Sequence, residues 1–304
     1  MINRRKFLET AGAAALVPAL SAYLPQTAWR NNKNNAHRIL SCNIRVALDE
    51  DEPKGYGWSA RKDICLKIIK DKRPDIVALQ EVLKVQADDL RNFFSAYQLF
   101  GFEGPEMDPH PTGYYGIAKN PILFSAKRYE LLTGGTYWLS ETPLVAGSKS
   151  WDTARARHAN WIRIRERCTG KEFRVVNLHL DHVSETAKIR QAEMVAQESA
   201  QYMPDFPQLL AGDFNSKFNS NVMDAIRNSN WKDSYETIHG ATEAGFTTHE
   251  FKGERYEKGA SKGRIDFIWY KGRAQPTGAA IVRDSVNGKY PSDHFFMQAD
   301  LIIE

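Results

Sequence analysis

Cysteine is scarce: Cys42, Cys65 and Cys168 are the only three in 304 residues. An odd count at wide spacing forms neither a disulfide framework nor a zinc-ligand pattern. Cys42 and Cys65 lie in apolar runs and read as buried thiols. No apolar run reaches the roughly 20 residues that a membrane-spanning helix needs, and a mean hydropathy of −0.51 argues against a multi-span membrane protein. Neither sign of charge dominates. Against 37 Asp and Glu stand 41 Lys and Arg, a net of +4, which by itself hints only faintly at anionic partners. Glycine (20) and proline (13) are at ordinary levels and 11% of residues are aromatic, so disorder, collagen and coiled coil are excluded as the main architecture. What remains, 42% apolar and 26% charged residues, is the composition of a globular protein long enough to bury a deep polar site.

Residues 1–28 read as a targeting segment. Asn3-Arg4-Arg5-Lys6 is a basic start with paired arginines, and Ala11 to Leu20 is an uncharged run rich in Ala and Leu. That run has the length of a signal h-region. The order resembles a twin-arginine export signal, in which the Arg-Arg pair is read as an address; a short amphipathic N-terminal helix is the competing reading. No cysteine follows the run, so no lipid anchor is expected. Cleavage within 21–36 removes Arg4, Arg5, Lys6 and Glu9 and leaves a mature chain near +2. Residues 29–37 read as a polar leader, and 38–304 as a single domain without linker or repeat.

Strand and helix patterns alternate along that domain. Ile39 to Val46 and Asp75 to Val82 are strands, the second apolar enough to be buried on both faces. Ser59 to Lys72, with Ser59 as cap, and Lys84 to Ala96 are helices. Tyr114 to Phe124 and Glu130 to Leu139 suggest strands around a turn. Asn160 to Arg167 and Glu172 to Leu180 read as a hairpin closed by Cys168-Thr169-Gly170-Lys171. A helix over Ser184 to Tyr202, a strand over Gln208 to Ala211 and a helix over Asn221 to Asn228 follow. Arg264 to Tyr270, Ala279 to Arg283 and His294 to Ile302 complete the strands. The pattern predicts two packed sheets with helices outside.

Polar residues stand at strand ends where a purely structural strand would stay apolar. Leu209-Leu210-Ala211-Gly212 leads into Asp213 and Asn215, two apart and on one face. A carboxylate and an amide there suit a hard cation or a phosphoryl group; an Asp-Asn turn ending a strand is the bland alternative. Asn177, His179 and Asp181 share one strand face, where a histidine is poised for acid or base work unless the face is merely solvated. Asp266 lies in an aromatic strand and needs a partner to be buried. Asp293 and His294 end a loop. Glu81 follows one apolar strand and Asn43 lies in another. Each alone has a capping or ion-pair explanation; their joint occurrence does not.

With Ser41-Cys-Asn-Ile-Arg45, Asp75 to Glu81, Asn177 to His182, Gly212-Asp-Phe-Asn-Ser216, Arg264-Ile-Asp-Phe-Ile268 and Ser292-Asp-His294 in this order over residues 38–304, the chain resembles the endonuclease/exonuclease/phosphatase superfamily, also called DNase I-like. The resemblance implies an α+β fold, a four-layer α/β sandwich of two mainly antiparallel sheets with helices outside and the site at one rim. It implies Glu81 as ligand of a divalent metal, Mg²⁺ or Mn²⁺, with Asn43 beside it. Asp213 would deprotonate the attacking water and Asn215 would position it or the phosphate. His294 would contact a phosphate oxygen, fixed by Asp293. His179 would be general acid or phosphate ligand, and Asp266 would support it or the metal shell. Arg157, with Arg155 next, and Asn177 would bind the substrate phosphate. The Trp58 and Arg61-Lys62 pattern also resembles a bacterial subgroup, with packing and surface charge as the plain alternative.

The activity so implied is metal-dependent hydrolysis of a phosphodiester or phosphomonoester by in-line attack of water, on a phosphorylated small molecule such as a sugar or inositol phosphate. A secreted nuclease and a non-catalytic binding member are the alternatives; the full set from Glu81 to His294 argues against the last. The basic loop from Lys252 to Arg264 could grip a phosphorylated substrate or be a solvated loop, and the aromatic-rich loop from Gly101 to Tyr115 could wall the pocket. An exported monomer, periplasmic or extracellular and without a stable membrane anchor, is expected.

Overall fold

Alternation decides how the strands are used. Along β1 (His37–Asn43) and β2 (Ile76–Gln80) nearly every residue is buried, so both faces must be covered by packed layers. The computed structural model describes residues 35–104, 114–240 and 245–304, and the proposed export segment and most of the loop from Gly101 to Tyr115 lie outside them. One sheet has the order β11 (Ala274–Val282), β12 (Phe296–Ile303), β1, β2, β4 (Ile122–Ser125), β3 (Tyr97–Phe100). The other has the order β5 (Tyr129–Trp138), β6 (His158–Glu166), β7 (Glu172–His179), β8 (Gln208–Asp213), β10 (Asp266–Lys271), β9 (Lys232–Asp233). Ile39, Ile76, Ile162, Val175, Leu209 and Ile268 pack in one cluster between the sheets. The opposite faces of the first sheet, Leu40, Val77 and Leu79, meet α1 (Trp58–Asp71) and α2 (Lys84–Phe93). Those of the second, Val176, Leu178 and Leu210, meet α3 (Glu185–Ser199) and α4 (Val222–Asn228). Helices, sheet, sheet, helices: the fold is the four-layer α+β sandwich, with two short helices, α5 (Ser234–His239) and α6 (Gly259–Lys262), besides.

Strand direction then gathers the motifs. Each sheet has one parallel pair, β1 with β2 and β7 with β8. Parallel neighbours end at the same edge, so Asn43, Gln80 with Glu81, His179 and Asp213 all arrive at one rim. Antiparallel β10 brings its first residue there, with Asp266 opposite Asp213. Antiparallel β12 pairs with β1 and starts at the same rim, which places Asp293 and His294 just before it. Gly212 is required at this junction. A Cβ there would stand 2.1 Å from the Leu178 carbonyl oxygen of β7.

The structure moves several expected boundaries. The region from Tyr114 to Phe124 is strand only from Ile122. The first helix begins after Gly57, and Ser59 bonds Glu52 rather than capping it. The last strand begins at Phe296, leaving His294 in the loop before it. His37, assigned to the polar leader, is buried in β1 with its Nδ1 2.6 Å from the Tyr129 hydroxyl. β3 was not anticipated: Tyr-Gln-Leu-Phe has no alternation to mark it. Cys42 and Cys65 are buried, and burial pushes the Cys65 thiol up to about 12, which removes it as a nucleophile.

Two buried histidines make the fold acid-sensitive. Burial, with Arg128 nearby, lowers the His37 pKa to about 4; burial, with His294 nearby, lowers that of His249 to about 3. Both stay neutral in the folded state while the unfolded chain binds protons below about pH 6.5. Stability is therefore present above that pH and falls as pH drops toward 4, by at most about 3 kcal/mol for His37. Urea unfolding at pH 7.5 and 4.5 should show the loss, and His37→Gln should flatten it; an equal pH slope in the variant would contradict this assignment.

Candidate active site

The rim encloses a polar cavity of about 390 Å³ lined by Glu81, His179, Asp213, Asn215, Asp293 and His294, with Arg45, Glu50, Tyr114, Arg155, Arg157 and His182 around them. A larger cavity of about 930 Å³ at the opposite end of β10, near Tyr202, Lys271 and Glu304, includes none of the motif residues.

One side of the small cavity is organised around a proton. Nδ1 of His294 lies 2.8 Å from Oδ2 of Asp266. Its Nε2 lies 3.9 Å from Asp213 Oδ2. Burial opposes charging this imidazole, but Asp266, Asp213 and Asp293 outweigh it and raise the pKa well above the ordinary value. His294 is thus an imidazolium at neutral pH. The sequence reading gave the supporting role to Asp293, and the geometry gives it to Asp266. The reason is direction: neighbours in sequence point apart, whereas β10 delivers Asp266 from across the site. Asp213 accepts from the Asn215 N–H at 2.8 Å and from Asn43 Nδ2 at 3.0 Å. Burial, then the Asp266 charge, pushes its pKa up to about 7, where a carboxylate is an effective base. His179 behaves oppositely. Burial, then Arg157 and His294, holds its pKa well below the ordinary value, and its Nε2 stands 3.0 Å from Asn215 Nδ2. A neutral and a charged imidazole flank one carboxylate.

The other side is organised around carboxylate oxygens. Glu81 Oε2 accepts the Val46 N–H at 2.8 Å and Oε1 accepts Asn43 Nδ2 at 3.1 Å. Burial opposes its charge, yet these bonds and His294 bring its pKa below the usual range. Asp293 is raised, by burial and by Glu81, with His294, Arg45 and Arg61 acting against. Arg45 Nη1 is 3.8 Å from Asp293. Arg45, Glu81 and Asn215 all sit at left-handed backbone angles, φ 56°, 65° and 48°, a conformation that for Arg and Glu persists only where the surrounding structure over-determines it. Glu81 and Asp293 line the same cavity, and two carboxylates there, with only the long Arg45 contact to offset them, suit a divalent cation such as Mg²⁺. Asp213, Asp266 and His294 also bring donor atoms within 4.8 Å of one another. Nδ1 of His294 is committed to Asp266, whereas the Glu81–Asp293 side offers oxygen donors alone, which a hard cation prefers.

Three other expectations resolve. Asn43 stands beside Glu81, but its amide N–H groups face the carboxylates and its carbonyl accepts the Arg45 N–H at 3.0 Å. Its N–H groups orient the acids. Arg157 lies in the cavity wall, 3.3 Å from His182 Nδ1, with its Nε buried and unpartnered. Asn177 does not line the cavity. It is buried between the sheets, donating to the carbonyls of Leu79, Asn120 and Pro121 and accepting from Gln80. Nor do Lys252, Arg255, Lys258, Lys262 and Arg264 line it; Arg264 is buried in an ion pair with Asp233. Sequence reasoning passed over Arg45 and His182, although Arg45 lies in the quoted Ser41–Arg45 stretch and His182 ends the Asn177–His182 stretch.

Fold and rim define a protein of the DNase I-like kind. Residues 40–294 match the Endonuclease/Exonuclease/phosphatase family, and the chain belongs to it. Members of that family are hydrolases of phosphoesters and generally use a divalent metal. A solved endonuclease/exonuclease/phosphatase from Bacteroides vulgatus is 31% identical, with TM-score 0.77 over 88% of this chain and 99% of that one. The mannosyl-6-phosphatase Bt3783 of Bacteroides thetaiotaomicron is 26% identical, with TM-score 0.77 over 88% and 100%. D. rerio TDP2 complexed with single-strand DNA product, 16% identical with TM-score 0.66 over 88% and 98%, shares the fold.

The Asp266–His294 contact makes a direct prediction. In Asp266→Asn, the His294 imidazole should titrate toward the ordinary histidine value when followed by nitrogen-labelled NMR. An unmoved titration would mean that the charge on His294 comes from elsewhere.

Proposed function

We propose that this chain is a divalent-cation-dependent phosphoesterase acting on a small phosphorylated molecule, with a sugar phosphate as the leading substrate class. The observation that carries this reading is the divided rim: a base near neutrality, Asp213, lies 3.9 Å from a charged His294 in the wall of a cavity of about 390 Å³. Asp213 takes the proton as water oxygen bonds to phosphorus and the ester oxygen leaves. Asn215 orients that water, and His294 neutralises charge growing on the phosphoryl oxygens. Arg157, with Arg155 stacked 5.2 Å over Tyr114, grips the anionic or hydroxylated remainder of the substrate. Mg²⁺ or Mn²⁺ held by Glu81 and Asp293 would add Lewis-acid charge neutralisation.

A cavity of about 390 Å³ suits a metabolite rather than a duplex, and a mature charge near +2 is low for a dedicated nucleic-acid binder. The similarity to a mannosyl-6-phosphatase supports the same choice. The paired arginines Arg4-Arg5 and the apolar run after them support export, with the enzyme working outside the cytoplasm. No helix among the described residues is long and apolar enough to cross a membrane.

Purified protein with Mg²⁺ or Mn²⁺ should hydrolyse at least one member of a panel of sugar phosphates, inositol phosphates, bis-p-nitrophenyl phosphate, phospholipids and DNA. Chelation should stop turnover, and Asp213→Ala or His294→Ala should each reduce it by about 10³-fold or more in a folded protein. Turnover indifferent to chelation or to both substitutions would sink the mechanism. Preference for DNA with steep salt dependence would favour the nuclease reading. For export, Arg4→Lys with Arg5→Lys should leave the precursor unprocessed in the cytoplasm; normal processing of that variant would refute the signal assignment.

A further inference from the structure

Arg61 is a buried charge that takes no part in the proposed chemistry. It lies on α1 and is 3% exposed. A buried guanidinium normally faces a carboxylate, yet no ion pair forms to Arg61 among the described residues. All three of its nitrogens donate to backbone carbonyls. Nε bonds Tyr56, Nη1 bonds Ile44 and Pro291, and Nη2 bonds Arg45 and, at 3.4 Å, Val46. Its plane also rests against Trp58, 5.1 Å from the ring centre, and Phe251, 6.0 Å away.

Those acceptors are not scattered. Ile44, Arg45 and Val46 form the turn after β1, and Pro291 lies two residues before Asp293. Val46 supplies the N–H that fixes Glu81 Oε2 at 2.8 Å. Arg45, at φ 56°, reaches toward Asp293. The guanidinium fork therefore ties the turn that hydrogen-bonds Glu81 to the loop that carries Asp293. Its own nitrogens bond backbone carbonyls and none of the oxygens of that carboxylate pair. Gln86 assists from α2, donating to the Arg45 carbonyl at 2.8 Å and accepting from Ala47 and Leu83.

We infer that Arg61 is a positioning residue for the cation site. It sets the separation of Glu81 and Asp293 through the 44–46 and 291 loops, without touching cation or substrate. The need is for a planar five-donor fork, which lysine lacks, and it accounts for Arg61 beneath Trp58 as more than packing or surface charge. This inference rests on the assignment of Glu81 and Asp293 as the cation's ligands.

The test reads cation binding directly, so that failure to find a substrate does not confound it. Mn²⁺ binding by calorimetry on the purified, substrate-free chain should weaken at least tenfold in Arg61→Gln. Arg61→Lys, which keeps the charge but not the fork, should recover only part of that loss. Leu66→Ala, which removes buried surface from the same helix, serves as the control: it should lower the melting temperature and leave Mn²⁺ affinity unchanged. With any substrate found by the panel, half-saturating Mn²⁺ should rise in Arg61→Gln more than kcat at saturating Mn²⁺ falls. Wild-type Mn²⁺ affinity in Arg61→Gln, or an equal loss in Leu66→Ala, overturns the inference. So does failure of both Arg61 variants to fold, which would make Arg61 a core residue only. If Glu81→Gln leaves Mn²⁺ binding intact, the cation-site reading itself fails, and the two failures are told apart.

Discussion

Four carboxyl groups, Glu81, Asp213, Asp266 and Asp293, crowd one rim of the sandwich, and their mutual repulsion governs everything around them. Carboxylates withdrawn from water remain ionised only with cations or N–H donors to hold them. The rim meets that demand in two ways. Asp213 and Asp266 share the imidazolium of His294, and Asp213 still ends near neutrality. Glu81 and Asp293 have N–H donors, two arginines and the field of His294, and Asp293 remains raised. One half of the rim is thereby suited to moving a proton and the other to holding a divalent cation.

The scaffold can bear this because its sheets are tied by polar contacts close to the rim. Asn177 links β7 to Leu79, Asn120 and Pro121 of the facing sheet region, and Gln80 returns the bond. Asn160 continues the chain to Gly101 and Asn120. Such a buried network, connected except at Gln80 Oε1 and Asn120 Oδ1, fixes the register between layers in a way that apolar packing alone does not. Asn177 thus belongs to the machinery that keeps the site rigid and not to the site itself.

Much of this was legible in the sequence. Apolar runs such as Asp75 to Val82 announced strands covered on both faces, and the polar residues at their ends announced a rim. Asp213, Asn215, His179, His294 and Glu81 do share one cavity. The pairings were not legible, because a motif gives residue types and the fold gives directions. His294 answers to Asp266, 28 residues away, rather than to its neighbour Asp293. Asn177 shares a strand with His179, yet its amide is taken up by backbone carbonyls before the rim. Arg45 and His182 stood in the quoted stretches without a role, since nothing local distinguishes a charge that lines a cavity from one that meets solvent. The boundary errors have the same origin: Tyr97–Phe100 becomes a strand only because β4 is there to pair with it.

The central claim is that the rim is divided, with the cation on the Glu81–Asp293 side and the proton on the Asp213–Asp266–His294 side. Anomalous scattering from a crystal grown with Mn²⁺ locates the ion without reference to any substrate. The account predicts a single main peak bonded to carboxylate oxygens of Glu81 and Asp293, with the Asp266–His294 contact intact. A main peak bonded to Asp213, Asp266 and the imidazole of His294 would contradict it.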